Sequence, residues 1–88
     1  MTNLSITSPE TMTHETGTYT TVKVTFGKTT YSITRKTGGS RQYVSVRKVT
    51  ANPFGSLGKE FATFAEAILN YKNANLKLAL ELTAINLA

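Results

Sequence analysis

The feature that most constrains this chain is a period of two in its side chains, running from Tyr19 to Thr50 and interrupted twice by glycine-bearing turns. Val22, Val24 and Phe26 alternate with Thr21, Lys23 and Thr25, and the β-branched content suits a half-buried strand. Gly27-Lys28 follows, with glycine in the first central position of a two-residue connection, the arrangement a type II′ hairpin turn requires. That turn sets the register: Phe26 opposite Thr29, Val24 opposite Tyr31, Val22 opposite Ile33. Apolar side chains then meet on one face, while Thr25 with Thr30, Lys23 with Ser32 and Thr21 with Thr34 meet on the other.

A second turn, Thr37-Gly38-Gly39-Ser40, precedes another alternating run from Arg41 to Thr50. Read as a four-residue loop, it sets Ile33 against Val44 and Tyr31 against Val46 on the apolar face. On the polar face it sets Thr34 against Tyr43, Ser32 against Ser45 and Thr30 against Arg47. Two turns chosen independently agree on one antiparallel meander. Residues 51–58 form a turn-rich loop carrying Phe54 and Leu57, and Lys59 to Ala62 offers a short fourth strand.

Thr63-Phe64-Ala65-Glu66 fits a capping box, in which hydroxyl and carboxylate satisfy the first free amides of a helix. Phe64, Ala67, Ile68 and Tyr71 then make one apolar stripe at helical spacing. Asn70, Asn73 and Asn75 predict a break around Ala74 before a second helix from about residue 75 to 88. The fold class expected is α+β, an antiparallel β-meander of three to four strands followed by one or two C-terminal helices packed on one sheet face. Residues 1–18, rich in Thr, Ser and Glu, are expected as a tail, with Leu4 and Ile6 able to add a short strand to this sheet or to another chain. Residues 19–88 make the single domain.

The second helix is apolar around most of its circumference. Leu78, Leu82 and Ile85 form one stripe, and Leu76, Leu80 and Leu87 another. A small sheet covers one of them, so a homodimer through the C-terminal helix is expected, with Leu76, Leu80 and Leu87 at its interface. The alternative is that the helix wraps further round its own core.

Composition matters here mainly through charge. Of the net +5, residues 1–18 contribute −2, residues 19–60 +7, and residues 61–88 zero. Such an asymmetry is the footprint expected of a protein that meets a polyanion. With no cysteine, thiol nucleophiles, disulfides and cysteine-held metals are excluded. The one histidine, His14, stands near Glu10 and Glu15 in the expected tail, and no pair of acids is spaced for acid/base work or Mg²⁺. A non-enzyme without cofactor or metal is expected. Neither a run of about 18 apolar residues nor a basic and apolar start is present, which predicts a cytoplasmic protein that does not enter a membrane.

Lys23, Tyr43 and Arg47 are expected on the polar face among threonines and serines, with Lys28, Arg35, Lys36, Arg41 and Lys48 on its rim or turns. Cations and hydroxyls suit phosphates, and Tyr43 offers a ring on which an unstacked base can lie. Lys36-Thr37-Gly38-Gly39-Ser40-Arg41 resembles a phosphate-binding glycine loop in composition but lacks its strand-loop-helix spacing. Nucleic acid is the partner expected, single-stranded DNA or RNA ahead of duplex. The alternative is a small phage-type interaction module or inhibitor that meets an acidic surface of a partner protein, with Phe54 and Leu57 as anchors.

A basic meander with a short last strand and a C-terminal helix resembles, over about residues 19–88, the single-strand-binding transcriptional coactivator and Whirly-like proteins. That resemblance implies binding on a curved sheet and dimerisation through helices, although the chain is too short for the two repeats of a Whirly domain. The junction Lys59-Glu60-Phe61-Ala62-Thr63-Phe64-Ala65-Glu66-Ala67 with Tyr71 is similar to that of phage integrase arm-binding and plant ethylene-response-factor domains. The second resemblance implies a three-stranded sheet laid in the major groove of duplex DNA. This chain lacks their tryptophans, and threonine dominates its sheet face.

Overall fold

The computed structural model describes residues 4–39, 41–49 and 58–87. Phe54, Leu57 and most of the 51–58 loop lie outside the described residues. The fold is α+β, an antiparallel sheet of six strands with two C-terminal helices on one face. The strands are β1 (Leu4–Ile6), β2 (Glu10–His14), β3 (Gly17–Phe26), β4 (Thr29–Thr37), β5 (Tyr43–Val49) and β6 (Lys59–Phe61). The helices are α1 (Phe64–Asn70) and α2 (Ala74–Leu87). Strand order is β1-β3-β4-β5-β6, with β2 also paired to β3.

The first hairpin has the register read from its turn, from Phe26↔Thr29 through Val22↔Ile33 to Thr21↔Thr34. Gly27 takes φ +61, and among the described residues no non-glycine has positive φ, as a type II′ turn requires. The second hairpin differs. Its partners are Ile33↔Val46, Ser32↔Arg47 and Lys36↔Tyr43, a slip of two residues from the expected pairing. The loop between the strands is longer than four residues because Thr37 stays in β4, where it pairs with Thr18. A two-residue slip keeps every side chain on its face, so alternation cannot distinguish the two registers. It does change neighbours, setting Tyr43 beside Lys36 and Arg47 beside Ser32.

The segment expected as a tail is instead the first edge of the sheet. Leu4 faces Phe26 and Ile6 faces Val24, extending the apolar face, while Glu10–His14 pairs with residues 17–21 as a hairpin. Between β1 and β2 the register along β3 shifts by one residue, so Thr7-Ser8-Pro9 bulges. Thr7 holds the bulge at both groups of Lys23: its N donates to the Lys23 carbonyl, and its Oγ1 accepts from the Lys23 amide, each at 2.9 Å. The physical reason for order here is α2. That helix lies over β1 and β3, and α1 over β5 and β6, so Leu4 and Ile6 supply surface that β3 alone lacks.

Thr63 caps α1, its Oγ1 accepting from the Glu66 amide at 3.2 Å; the Glu66 carboxylate accepts from the amide of Ala62. Asn73 does the same for α2, its Oδ1 accepting from the amides of Asn75 and Leu76. The break between helices therefore falls where the asparagines predict it. The core joins Val22, Val24, Phe26, Ile33, Val44 and Val46 of the sheet to Ala67, Leu76, Ala79 and Leu80 of the helices.

This packing inverts the roles expected for α2. Leu76, Leu80 and Leu87 are buried in their own domain and unavailable to a partner, whereas Leu78, Leu82 and Ile85 are exposed. The added edge strand β1, through Leu4 and Ile6, widens the apolar face that takes the Leu76 side of the helix. Each of those leucines contributes about 1.5–3 kcal/mol by leaving water.

Candidate nucleic-acid interface

Alternation along six paired strands builds the face turned away from the helices. One cross-strand row is Met12, Tyr19, Lys36 and Tyr43; the next is Glu10, Thr21, Thr34, Ser45 and Glu60; a third is Lys23, Ser32 and Arg47; a fourth is Ser5, Thr25, Thr30 and Val49. Lys23, Tyr43 and Arg47 thus emerge on one side. Threonine hydroxyls pair across the strands, Thr21 with Thr34 at 2.9 Å and Thr25 with Thr30 at 3.0 Å, which holds them in line.

The face contains two adjoining depressions. One of about 390 Å³ is lined by Thr21, Ser32, Thr34, Tyr43, Ser45 and Arg47, a set of five hydroxyl-bearing side chains and one guanidinium. The other, about 520 Å³ and open, lies at the end of the sheet between the β2–β3 and β4–β5 turns, among Glu15, Thr16, Tyr19, Lys36, Gly39, Arg41 and Tyr43. Tyr43 borders both, and the two depressions that adjoin there make up a trough. Its aromatic end continues to His14, whose ring meets the Tyr19 ring edge-on at 5.7 Å, while Thr16 and Tyr19 share a 2.7 Å hydrogen bond between hydroxyls.

Lys36 departs most from expectation. It is only 5% exposed, although it stands on the polar face. Its ammonium donates to the carbonyl oxygens of Arg41 at 2.6 Å and Gly38 at 3.3 Å, and sits between the rings of Tyr19 and Tyr43, 6.0 and 5.9 Å from their centroids. Lys36 therefore latches the β4–β5 loop and is not placed to meet a phosphate. Gly39 belongs to the same closure: at φ +66, a Cβ there would fall 2.2 Å from the Thr16 carbonyl oxygen, so only glycine lets the two turns touch.

Arg35 and Lys48 are corrected too. By alternation they share the helix-side face with Val44 and Val46, Arg35 opposite Val44 and Lys48 opposite Tyr31. Arg35 lines a cavity of about 200 Å³ with Thr63 and Phe64, and its buried Nε has no hydrogen-bond partner. Lys28 is exposed in the β3–β4 turn, at the end of the sheet away from Tyr19. Arg41 is exposed, stacks 5.2 Å from the Tyr43 ring centroid and pairs with the Glu60 carboxylate.

The sheet thus divides the sequence's basic segment between two faces, and strand pairing brings Glu10 and Glu60 onto the face with Lys23 and Arg47. The remaining chemistry is hydroxyl donors in rows, Lys23 and Arg47 in one row, and the rings of Tyr19 and Tyr43 with Arg41 and Glu15 at the end of the sheet. Neither Tyr19 nor His14 is among the residues the sequence predicts for this face. The signal that brings them in is the threonine alternation of residues 11–13 ahead of Thr16-Gly17, a hairpin with no apolar face. Among the described residues no group of three His, Cys, Asp or Glu side chains could hold a metal ion, and no helix is long and apolar enough to cross a membrane. No protein-family model, no curated protein and no solved structure matches this chain.

Proposed function

We propose that this chain is a non-catalytic binding protein that holds single-stranded nucleic acid along the trough on its open sheet face. The observation that carries the reading is that a hydroxyl-lined depression with Arg47 and an aromatic groove with Tyr19 adjoin at Tyr43. Phosphates accept hydrogen bonds from Arg47, Lys23 and the serine and threonine hydroxyls, and unstacked bases lie on Tyr43 and Tyr19. Duplex DNA keeps its bases stacked and offers such rings nothing to pair with, which favours the single strand.

Fluorescence anisotropy with labelled homopolymer single strands and a matched duplex, across a salt series, tests the proposal. Affinity for the single strand falls steeply as salt rises, because neutralised phosphates release counterions. Replacing Lys23 and Arg47 together by Ala weakens binding by about 1 kcal/mol or more, roughly fivefold. An affinity indifferent to salt, or unchanged in the double variant, rejects this face as the site. A pull-down from nuclease-treated lysate that recovers a single protein with an acidic surface would then favour the interaction-module reading.

A further inference from the structure

We propose that a second copy of this chain packs on the outer face of α2, forming an antiparallel helix pair about a two-fold axis near residue 80. The helix has two apolar sides. Its inner side, Leu76, Ala79, Leu80, Thr83 and Leu87, is buried in the domain, while Leu78, Leu82 and Ile85 on the outer side remain 45%, 37% and 72% exposed. These three follow helical spacing and form one stripe, a pattern that scattered exposed apolar residues do not make.

The identity of the occupant follows from self-complementarity. Turned antiparallel about residue 80, the midpoint of α2, two helices of about 21 Å overlap along their whole length. Leu78 then faces the partner copy's Leu82, and the large Ile85 falls over the small Ala74. Lys77 and Glu81 lie together on one flank, so each meets its opposite charge across the axis, and Asn75 and Asn86 line the other flank. Three separate pairings thus share one register to within two residues. Charge argues the same way: the basic excess lies in residues 19–60, whereas residues 61–88 are neutral, so two copies approach through the helices without the repulsion that sheet-to-sheet contact would bring. A closed pair also covers the stripe on both subunits at once.

Sedimentation velocity on the full chain over a range of concentrations, with circular dichroism as the check on folding, tests the proposal. The wild-type chain sediments as a dimer that dissociates on dilution. Leu78→Glu and Leu82→Glu sediment as monomers with an unchanged helical spectrum. Lys77→Glu shifts the equilibrium toward monomer, and the double exchange Lys77→Glu with Glu81→Lys restores the dimer, a rescue that keeps the test valid if the leucine variants fold poorly. A wild-type chain that stays monomeric at every concentration overturns the proposal, as does a dimer that survives Leu82→Glu or is indifferent to Lys77→Glu. None of these outcomes bears on nucleic-acid binding by the sheet face, which the Lys23 and Arg47 variants test separately.

Discussion

Lys36→Met separates a latch from a ligand contact. The short bond from the ammonium to the Arg41 carbonyl, 2.6 Å, is charge-assisted and worth about 1.5–3 kcal/mol. The 3.3 Å bond to Gly38 is long and adds a fraction of that. Both rings lie near the outer limit for a cation over an aromatic face, so each contributes about 0.5 kcal/mol at most. Methionine keeps the straight aliphatic stem and removes the cost of holding a charge out of water, which offsets part of the loss. The expected net effect is a destabilisation of about 1.5–3 kcal/mol, read as a lower urea midpoint at unchanged m-value. The same variant, assayed below its unfolding transition, should bind single strands with an unaltered salt slope, because Lys36 neutralises no phosphate. Unchanged stability together with a slope reduced by about 0.7, the signature of one lost single-strand phosphate contact, would overturn the latch and make Lys36 part of the binding surface.

Gly39→Ala should destabilise by about 2 kcal/mol or more, since its Cβ collides with the Thr16 carbonyl at a left-handed φ; a thermal melt matching the wild type would contradict the turn contact. Leu80→Ala should cost about 2–5 kcal/mol in urea unfolding, whereas Leu78→Ala costs far less within one subunit, and the reverse ranking would mean that α2 is seated by its other side. Thr83→Val should change stability by less than about 1 kcal/mol, because the Thr83 hydroxyl donates at 2.7 Å to an Ala79 carbonyl that the helix ladder already satisfies; a larger loss in the same assay would give the hydroxyl a structural role. Burial, and then the neighbouring Tyr31, push the Tyr71 phenol above its ordinary 10.0. The folded state then holds its proton longer than the unfolded chain, so this contribution is intact below pH 10.0 and is lost as pH rises through the folded value. Urea midpoints measured across that range should fall less steeply for Tyr71→Phe than for the wild type, and identical slopes would exclude Tyr71.

The parts of this fold legible in the sequence are those where one local signal admits one answer. Gly27-Lys28 fixes a two-residue turn, and with it all nine pairs of the β3–β4 ladder from Thr18↔Thr37 to Phe26↔Thr29. Thr63 and Glu66 fix the start of α1, and Asn73 that of α2. Where two answers satisfy the same pattern, sequence reading failed. The loop after Thr37 fits two registers of equal parity, and the choice between them rests on Lys36 meeting Tyr43, a contact without a periodic trace. The leucines of α2 populate two stripes, and which is buried depends on how wide the sheet is. That width depends on Leu4 and Ile6, two residues in a segment otherwise too polar to announce a strand. For Arg35 and Lys48, charge points to the binding surface while parity places them with Val44 and Val46 on the helix side.

The proposed single-strand binding uses the two rings that flank the Lys36 ammonium. Tyr19 and Tyr43 offer base-stacking surfaces only if their rings are held apart and outward, and the Lys36 ammonium between them does this from below while fixing the Arg41 backbone. A ring ordered before the ligand arrives loses less rotamer freedom on binding, so its stacking counts more fully toward affinity. In the proposed single-strand complex Lys36 therefore acts through the geometry of its neighbours while leaving the number of neutralised phosphates alone. Arg41 lies on the other side of the balance: its guanidinium stacks on Tyr43 and is paired with Glu60, and an incoming phosphate competes for it with a carboxylate already in place. Glu60→Gln releases that guanidinium, so single-strand affinity should rise at low salt and the salt slope should steepen, with Lys36 and both rings undisturbed. A Glu60→Gln chain that binds like the wild type at every salt concentration would remove Arg41 from the trough and leave Lys23 and Arg47 as its cations.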